Sequence, residues 1–154
     1  MGEPASGTDA VVEVRRTFAA APERVFQAWT DPSKMTKWFA RGTVQNTISK
    51  IEADARPGGM YRVDVTDADG KTYHMSGTYR EVRPPEKLVF TWTWEDQADF
   101  GESLVTIEFH RLGESQFTEV VLRHELLAEK WRADHNKGWI ACFDLLEKVL
   151  ADQL

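Results

Sequence analysis

The sequence predicts an α+β fold: a seven-stranded antiparallel sheet curved around one long C-terminal helix, with two short helices after the first strand. Three observations carry this prediction. Six segments between residues 44 and 126 alternate apolar and polar side chains and are separated by turn residues. Residues 130–153 contain no proline and repeat apolar side chains at helical spacing. Between the first strand-like segment and the β region, Pro22 and Asp31-Pro32 punctuate two short helical segments.

The elements follow in order. Residues 1–10 are mostly small and polar and are expected to form a loose tail, leaving 11–154 as a single domain. Residues 11–19 alternate as a strand, with Val12, Val14 and Phe18 on one side and Glu13 and Arg15 on the other. Pro22 suits a first helical position, Glu23 complements the helix N-terminus, and Val25, Phe26 and Trp29 share a face. Asp31 is placed to cap a second helix that begins at Pro32, carries Met35, Trp38 and Phe39 inward, and ends near Gly42. Strands are predicted at 44–55, 60–66, 72–82, 88–95, 103–110 and 117–126. Pro57-Gly58-Gly59, Asp69-Gly70, Pro84-Pro85 and Gly113 supply the turns, and 96–102 reads as a longer, acidic, solvated loop. Short connections between consecutive strands imply an antiparallel meander. On the last helix, Trp131, His135, Trp139, Cys142, Leu146 and Val149 form one apolar stripe with Gly138 at its edge, while Asp144, Glu147 and Lys148 face away.

Composition excludes several functions. The 154 residues hold 19 Lys and Arg against 25 Asp and Glu, a net charge of −6, which opposes binding to nucleic acid or to an anionic membrane surface. The longest apolar run is residues 139–143, far short of the roughly 20 residues of a membrane-spanning helix. The first fourteen residues contain no Lys or Arg and no apolar segment, and the single Cys142 has no disulfide partner, so a cytoplasmic location is expected. No metal or other cofactor is expected, because the histidines at 74, 110, 124 and 135 have no short ligand spacing. No nucleophile elbow or phosphate-binding loop appears.

Several segments resemble a known family. The run Arg15-Arg16-Thr17-Phe18-Ala19-Ala20-Ala21-Pro22-Glu23-Arg24-Val25-Phe26-Gln27-Ala28-Trp29-Thr30-Asp31-Pro32 is similar to the start of the activator of heat-shock protein 90 ATPase homologue-like family, in the START-like (SRPBCC) superfamily. Lys37-Trp38-Phe39, Pro57-Gly58-Gly59-Met60-Tyr61, the segment from Val82-Arg83-Pro84-Pro85 to Phe90-Thr91-Trp92, and His135-Asn136-Lys137-Gly138-Trp139 fit the same family in the same order. The resemblance implies the helix-grip fold. It also implies a cavity under the long helix, which lipid carriers, hormone receptors, polyketide cyclases and pollen allergens of the superfamily use. The co-chaperones that give the family its name carry a further N-terminal domain, for which this chain has no room, so the resemblance does not bring their activity with it.

Six Trp, eight Phe and three Tyr make an aromatic-rich chain. On the strand at 88–95, Leu88, Phe90, Trp92 and Trp94 share a face. Facing the helix stripe, Phe90, Trp92, Trp94, Trp131, Trp139 and Cys142 line one apolar chamber, with Trp38 and Phe39 at its rim; alternatively, the rings fill a solid core. The resemblance favours the chamber. His135, mid-stripe, and His124, inward on its strand, either present imidazoles to a ligand or are core histidines satisfied by neighbouring groups, the commoner arrangement. His74 and His110 are expected to be exposed.

Three functions fit. The first is a binding protein for a small hydrophobic or aromatic molecule. The second is a cavity enzyme of cyclase, hydratase or hydrolase type, with His135, His124 or Tyr73 as acid or base. The third is a chaperone-contacting protein module. A homodimer through exposed sheet or helix surface is compatible with all three.

Overall fold

The computed structural model describes residues 11–41 and 45–152. Strand β1 (Val12–Phe18) leads into helix α1 (Pro22–Thr30) and the single turn α2 (Pro32–Met35). Six strands follow: β2 (Thr47–Ala53), β3 (Met60–Thr66), β4 (Thr72–Arg83), β5 (Lys87–Trp94), β6 (Ser103–Arg111) and β7 (Thr118–Glu125). The chain closes on α3 (Glu129–Leu150). All seven strands form one antiparallel sheet in the order β1-β7-β6-β5-β4-β3-β2. Strands β2 to β7 are a meander, while β1 crosses over to lie beside β7, with Val12 opposite His124 and Phe18 opposite Thr118. This is the helix-grip arrangement, with α3 lying against the concave face of the sheet.

Local chemistry accounts for the elements. Pro22 opens α1, and Val25, Phe26, Ala28 and Trp29 bury its inner face. The Asp31 carboxylate accepts the Ser33 backbone N–H at 3.0 Å and caps α2. That helix is shorter than the spacing predicts. After Met35 the chain passes through turns, and Ala40 takes a left-handed φ of 62°, which ends the helical path. Strand β2 is narrower than 44–55, because it is bounded by the turn at Gln45 and by the bend before Pro57. The expected tail at 1–10, the helix end at Gly42, the strand start at Val44 and the helix end at Gln153 lie outside the described residues.

The sheet is irregular between β4 and β5. Its ladder is interrupted between the pairs Ser76–Thr93 and Tyr79–Phe90, and the register shifts by one residue between Tyr79 and Glu81. At the interruption the Tyr61 hydroxyl donates to the Thr91 carbonyl at 2.5 Å, and the Thr78 N–H donates to Thr91 Oγ1 at 2.8 Å. A bulge of this kind strengthens local twist and curls a sheet. Inside the curve, Trp29 packs edge-on to Trp38 at 4.5 Å and beside Trp139 at 6.0 Å, while Phe18 meets Phe143 at 5.6 Å. On the outside, Arg16 ties β1 to α3 through Asp144 at 2.7 Å and Glu147 at 3.3 Å. Among the described residues no helix is long and apolar enough to cross a membrane.

Candidate functional site

A cavity of about 430 Å³ opens between the N-terminal half of α3 and strands β3 to β5. Trp92 and Trp94 of β5, with Val65 of β3 and Tyr73 of β4, form its sheet wall. Trp131, Asp134, His135, Gly138, Trp139 and Cys142 come from α3. Ala40, Arg41, Asn46, Asp96 and Gln97 complete the lining. The volume lies within the range of small-molecule sites, and the lining is mostly apolar. Gly138 has a plain structural reading to exclude: a glycine inside a helix usually makes room for a neighbour. Here a Cβ would meet no atom within 4 Å. The glycine borders the cavity and leaves open space there.

Two tryptophans fix the two histidines as neutral tautomers. Trp94 Nε1–H donates to His135 Nε2 at 3.0 Å, so that nitrogen is an acceptor, and His135 Nδ1–H donates to the Trp131 carbonyl at 2.9 Å. Trp139 Nε1–H donates to His124 Nδ1 at 3.0 Å. His124 Nε2–H then donates to Ser103 Oγ at 2.8 Å, whose hydroxyl continues to the Trp92 carbonyl at 2.7 Å. A second proton on either ring would set two N–H donors face to face. Burial pushes His124 well below the usual imidazole range, and the neighbouring His135 adds to this. Burial also lowers His135, against opposing effects from the Trp131 carbonyl and the Asp134 carboxylate.

The family model for Activator of Hsp90 ATPase homolog 1-like protein matches residues 19–151. The chain belongs to this family. No curated protein shows significant sequence similarity to it. Among solved structures it is similar to protein CV1439 from Chromobacterium violaceum, with a TM-score of 0.82 and 24% identity, covering 92% of this chain and 96% of that one. It is similar to the AHSA1 protein SPO3351 from Silicibacter pomeroyi, with a TM-score of 0.80 and 26% identity, covering 94% and 100%. Protein NE0264 from Nitrosomonas europaea gives a TM-score of 0.79 at 22% identity, covering 94% and 96%.

In this AHSA1-like chain, seven of the eleven residues singled out from sequence border the cavity: Tyr73, Trp92, Trp94, Trp131, His135, Trp139 and Cys142. Trp38, Phe39, Phe90 and His124 do not. Trp38 turns its Nε1–H onto the Ala28 carbonyl at 3.0 Å and is fully buried against Trp29. Phe39 wedges among Tyr61, Phe90, Trp92 and Trp139, so it plugs the middle of the groove rather than standing at its rim. Phe90 is closed in behind it by Tyr61 and Tyr79. His124 lies beneath Trp139 and Trp92. His74 is half-buried rather than exposed, with Nδ1 2.6 Å from Asp64. His110 is exposed, beside Glu108.

The loop at 96–102 also departs from its solvated reading. Phe100 is buried against Trp131 and His135, both at 5.3 Å, and Asp99 pairs with Lys130. Sequence reasoning missed the polar mouth made by Arg41, Asn46, Asp96, Gln97 and Asp134. For Asp134, adjacency to His135 on the helix was the available signal. Among the described residues, no three His, Cys, Asp or Glu side chains group as a metal site.

Proposed function

We propose that the chain is a binding protein for a small, predominantly apolar aromatic molecule, held between α3 and the sheet. The observation that carries this reading is Gly138. A mid-helix glycine costs about 0.5–1 kcal/mol relative to alanine. With no atom within 4 Å of its absent Cβ, packing gives no return for that cost. Space in the cavity does. Four indoles around the space offer flat apolar surface. The membership of a START-like fold family, which commonly binds hydrophobic ligands, supports the same reading. Both histidines have both ring nitrogens engaged, which favours binding over proton transfer by either.

The test uses two substitutions at one position. Gly138→Ala is expected to raise the stability measured by urea denaturation by about 0.5–1 kcal/mol. Gly138→Leu is expected to keep the fold, judged by circular dichroism, and to lose binding of neutral naphthalene probes measured by calorimetry. A Gly138→Leu protein that binds such a probe as tightly as the parent would remove the cavity from consideration.

A further inference from the structure

We propose that the cavity selects organic cations: molecules with an apolar or aromatic body and an ammonium group held at the mouth. This rests on the binding reading above and names the ligand's charge. Two carboxylates, Asp96 and Asp134, line the cavity from the loop after β5 and from α3; Asp96 Oδ2 accepts the His74 backbone N–H at 2.6 Å, and neither carboxylate lies within 4 Å of a described cationic side chain. The one cationic side chain among the described lining residues is Arg41. Its Nε and Nη1 donate to the Asn46 and Lys37 carbonyls at 2.8 and 2.6 Å, which holds the guanidinium on backbone acceptors. The lining is therefore net negative, on a chain that is itself at −6.

The rings are suited to the same charge. The faces of Trp and Tyr carry the negative side of a quadrupole and attract ammonium groups within about 6 Å. Two rings at this site already attract lysine ammonium groups of the chain itself. Lys71 Nζ sits 5.1 Å over the Tyr73 ring, and Lys130 Nζ sits 5.2 Å over the Trp131 ring. A ligand ammonium between Trp94 and Trp131 would meet ring faces and the two carboxylates together, with its apolar remainder against Val65 and Cys142. An anionic ligand could accept from the Trp92 and Trp131 Nε1–H groups, which have no partner among the described residues, but would meet those carboxylates with the opposite sign.

Three matched probes separate this proposal from the one it rests on: (1-naphthylmethyl)trimethylammonium, 1-naphthalenemethanol and 1-naphthalenesulfonate, each titrated into the full chain by calorimetry at low and high salt. The expected result is a cation bound about tenfold more tightly than the neutral alcohol, with the sulfonate weakest. The cation's advantage should shrink as salt rises. In the Asp96→Asn/Asp134→Asn variant, checked for fold by circular dichroism, that advantage should fall to within about twofold. If the alcohol or the sulfonate binds as tightly as the cation, or the double variant keeps the preference, the charge proposal is overturned and the cavity reading stands. If none of the three binds, both are overturned.

Discussion

Gly77→Ala is expected to destabilise the fold by about 3 kcal/mol or more, the upper end of what overpacking costs. A Cβ at this point of β4 would lie 2.6 Å from the Tyr61 ring and hydroxyl, and well inside contact distance of the Thr91 carbonyl oxygen. The ring could move. The carbonyl belongs to the backbone of β5 and is already held by the Tyr61 hydroxyl, so relief requires separating two central strands. The loss should be read as a shift in urea midpoint at constant slope. Tyr61→Phe on the same chain removes one of the clashing atoms and should not restore the Gly77→Ala protein. Restoration to within 1 kcal/mol of the Tyr61→Phe parent, on the scale of a single hydrogen bond, would show that the ring rather than the backbone sets the limit.

His124→Leu is the second large effect, and it is tied to pH. The substitution leaves Trp139 Nε1–H and Ser103 Oγ without their imidazole partner in a site with no solvent exposure, at a cost of about 3 kcal/mol near pH 7.5. In the parent, both His124 and His135 have folded-state affinities for protons below those of an unfolded imidazole. The unfolded chain then binds more protons as pH falls, so stability is fully present above about pH 6.5 and is lost progressively below it. Each histidine contributes up to about 1.4 kcal/mol per pH unit within that window. Carboxylates with lowered values, such as Glu95 beside Arg62, enter only at more acid pH. Urea unfolding from pH 7.5 to 5 should therefore show a falling stability in the parent and a shallower fall in His124→Leu. Equal slopes in the two proteins would assign the acid sensitivity elsewhere.

Much of this architecture is legible in the sequence. Strict alternation at Leu88, Phe90, Trp92 and Trp94 placed four side chains on one face, and the stripe from Trp131 to Val149 marked the inner surface of α3. Pro22 and Asp31-Pro32 located the helix starts because proline and a capping carboxylate act within a few residues. What periodicity lacks is depth. It states that Trp38, Phe39 and His124 point inward, and not that the turn after α2 drives two large rings into the middle of the groove and confines the empty space to one end. The same blindness applies to partners. Nothing in the spacing of Trp94 and His135, forty-one residues apart, announces a hydrogen bond between them. An acidic loop reads as solvated because most of its residues are, and the one that matters, Phe100, is apolar. Gly77 left a trace, since a glycine inside a strand signals close approach of another group, but the approaching group comes from a different strand.

The pairing of β1 with β7 has a consequence for how the chain is made. Synthesis delivers β1 before the other strands, yet among the described residues its one strand partner is β7, with Val12 opposite His124. A nascent chain can zip β2 through β6 in order, because each neighbour in the sheet is the next segment to emerge. The first strand must wait with its edge unpaired, and α3, which closes the concave face, arrives later still. Such non-local closure is slow relative to hairpin formation. The sheet thus closes only once β7 and α3 have been made, and a ribosome stalled before β7 would hold a half-built sheet with its aromatic face open to water.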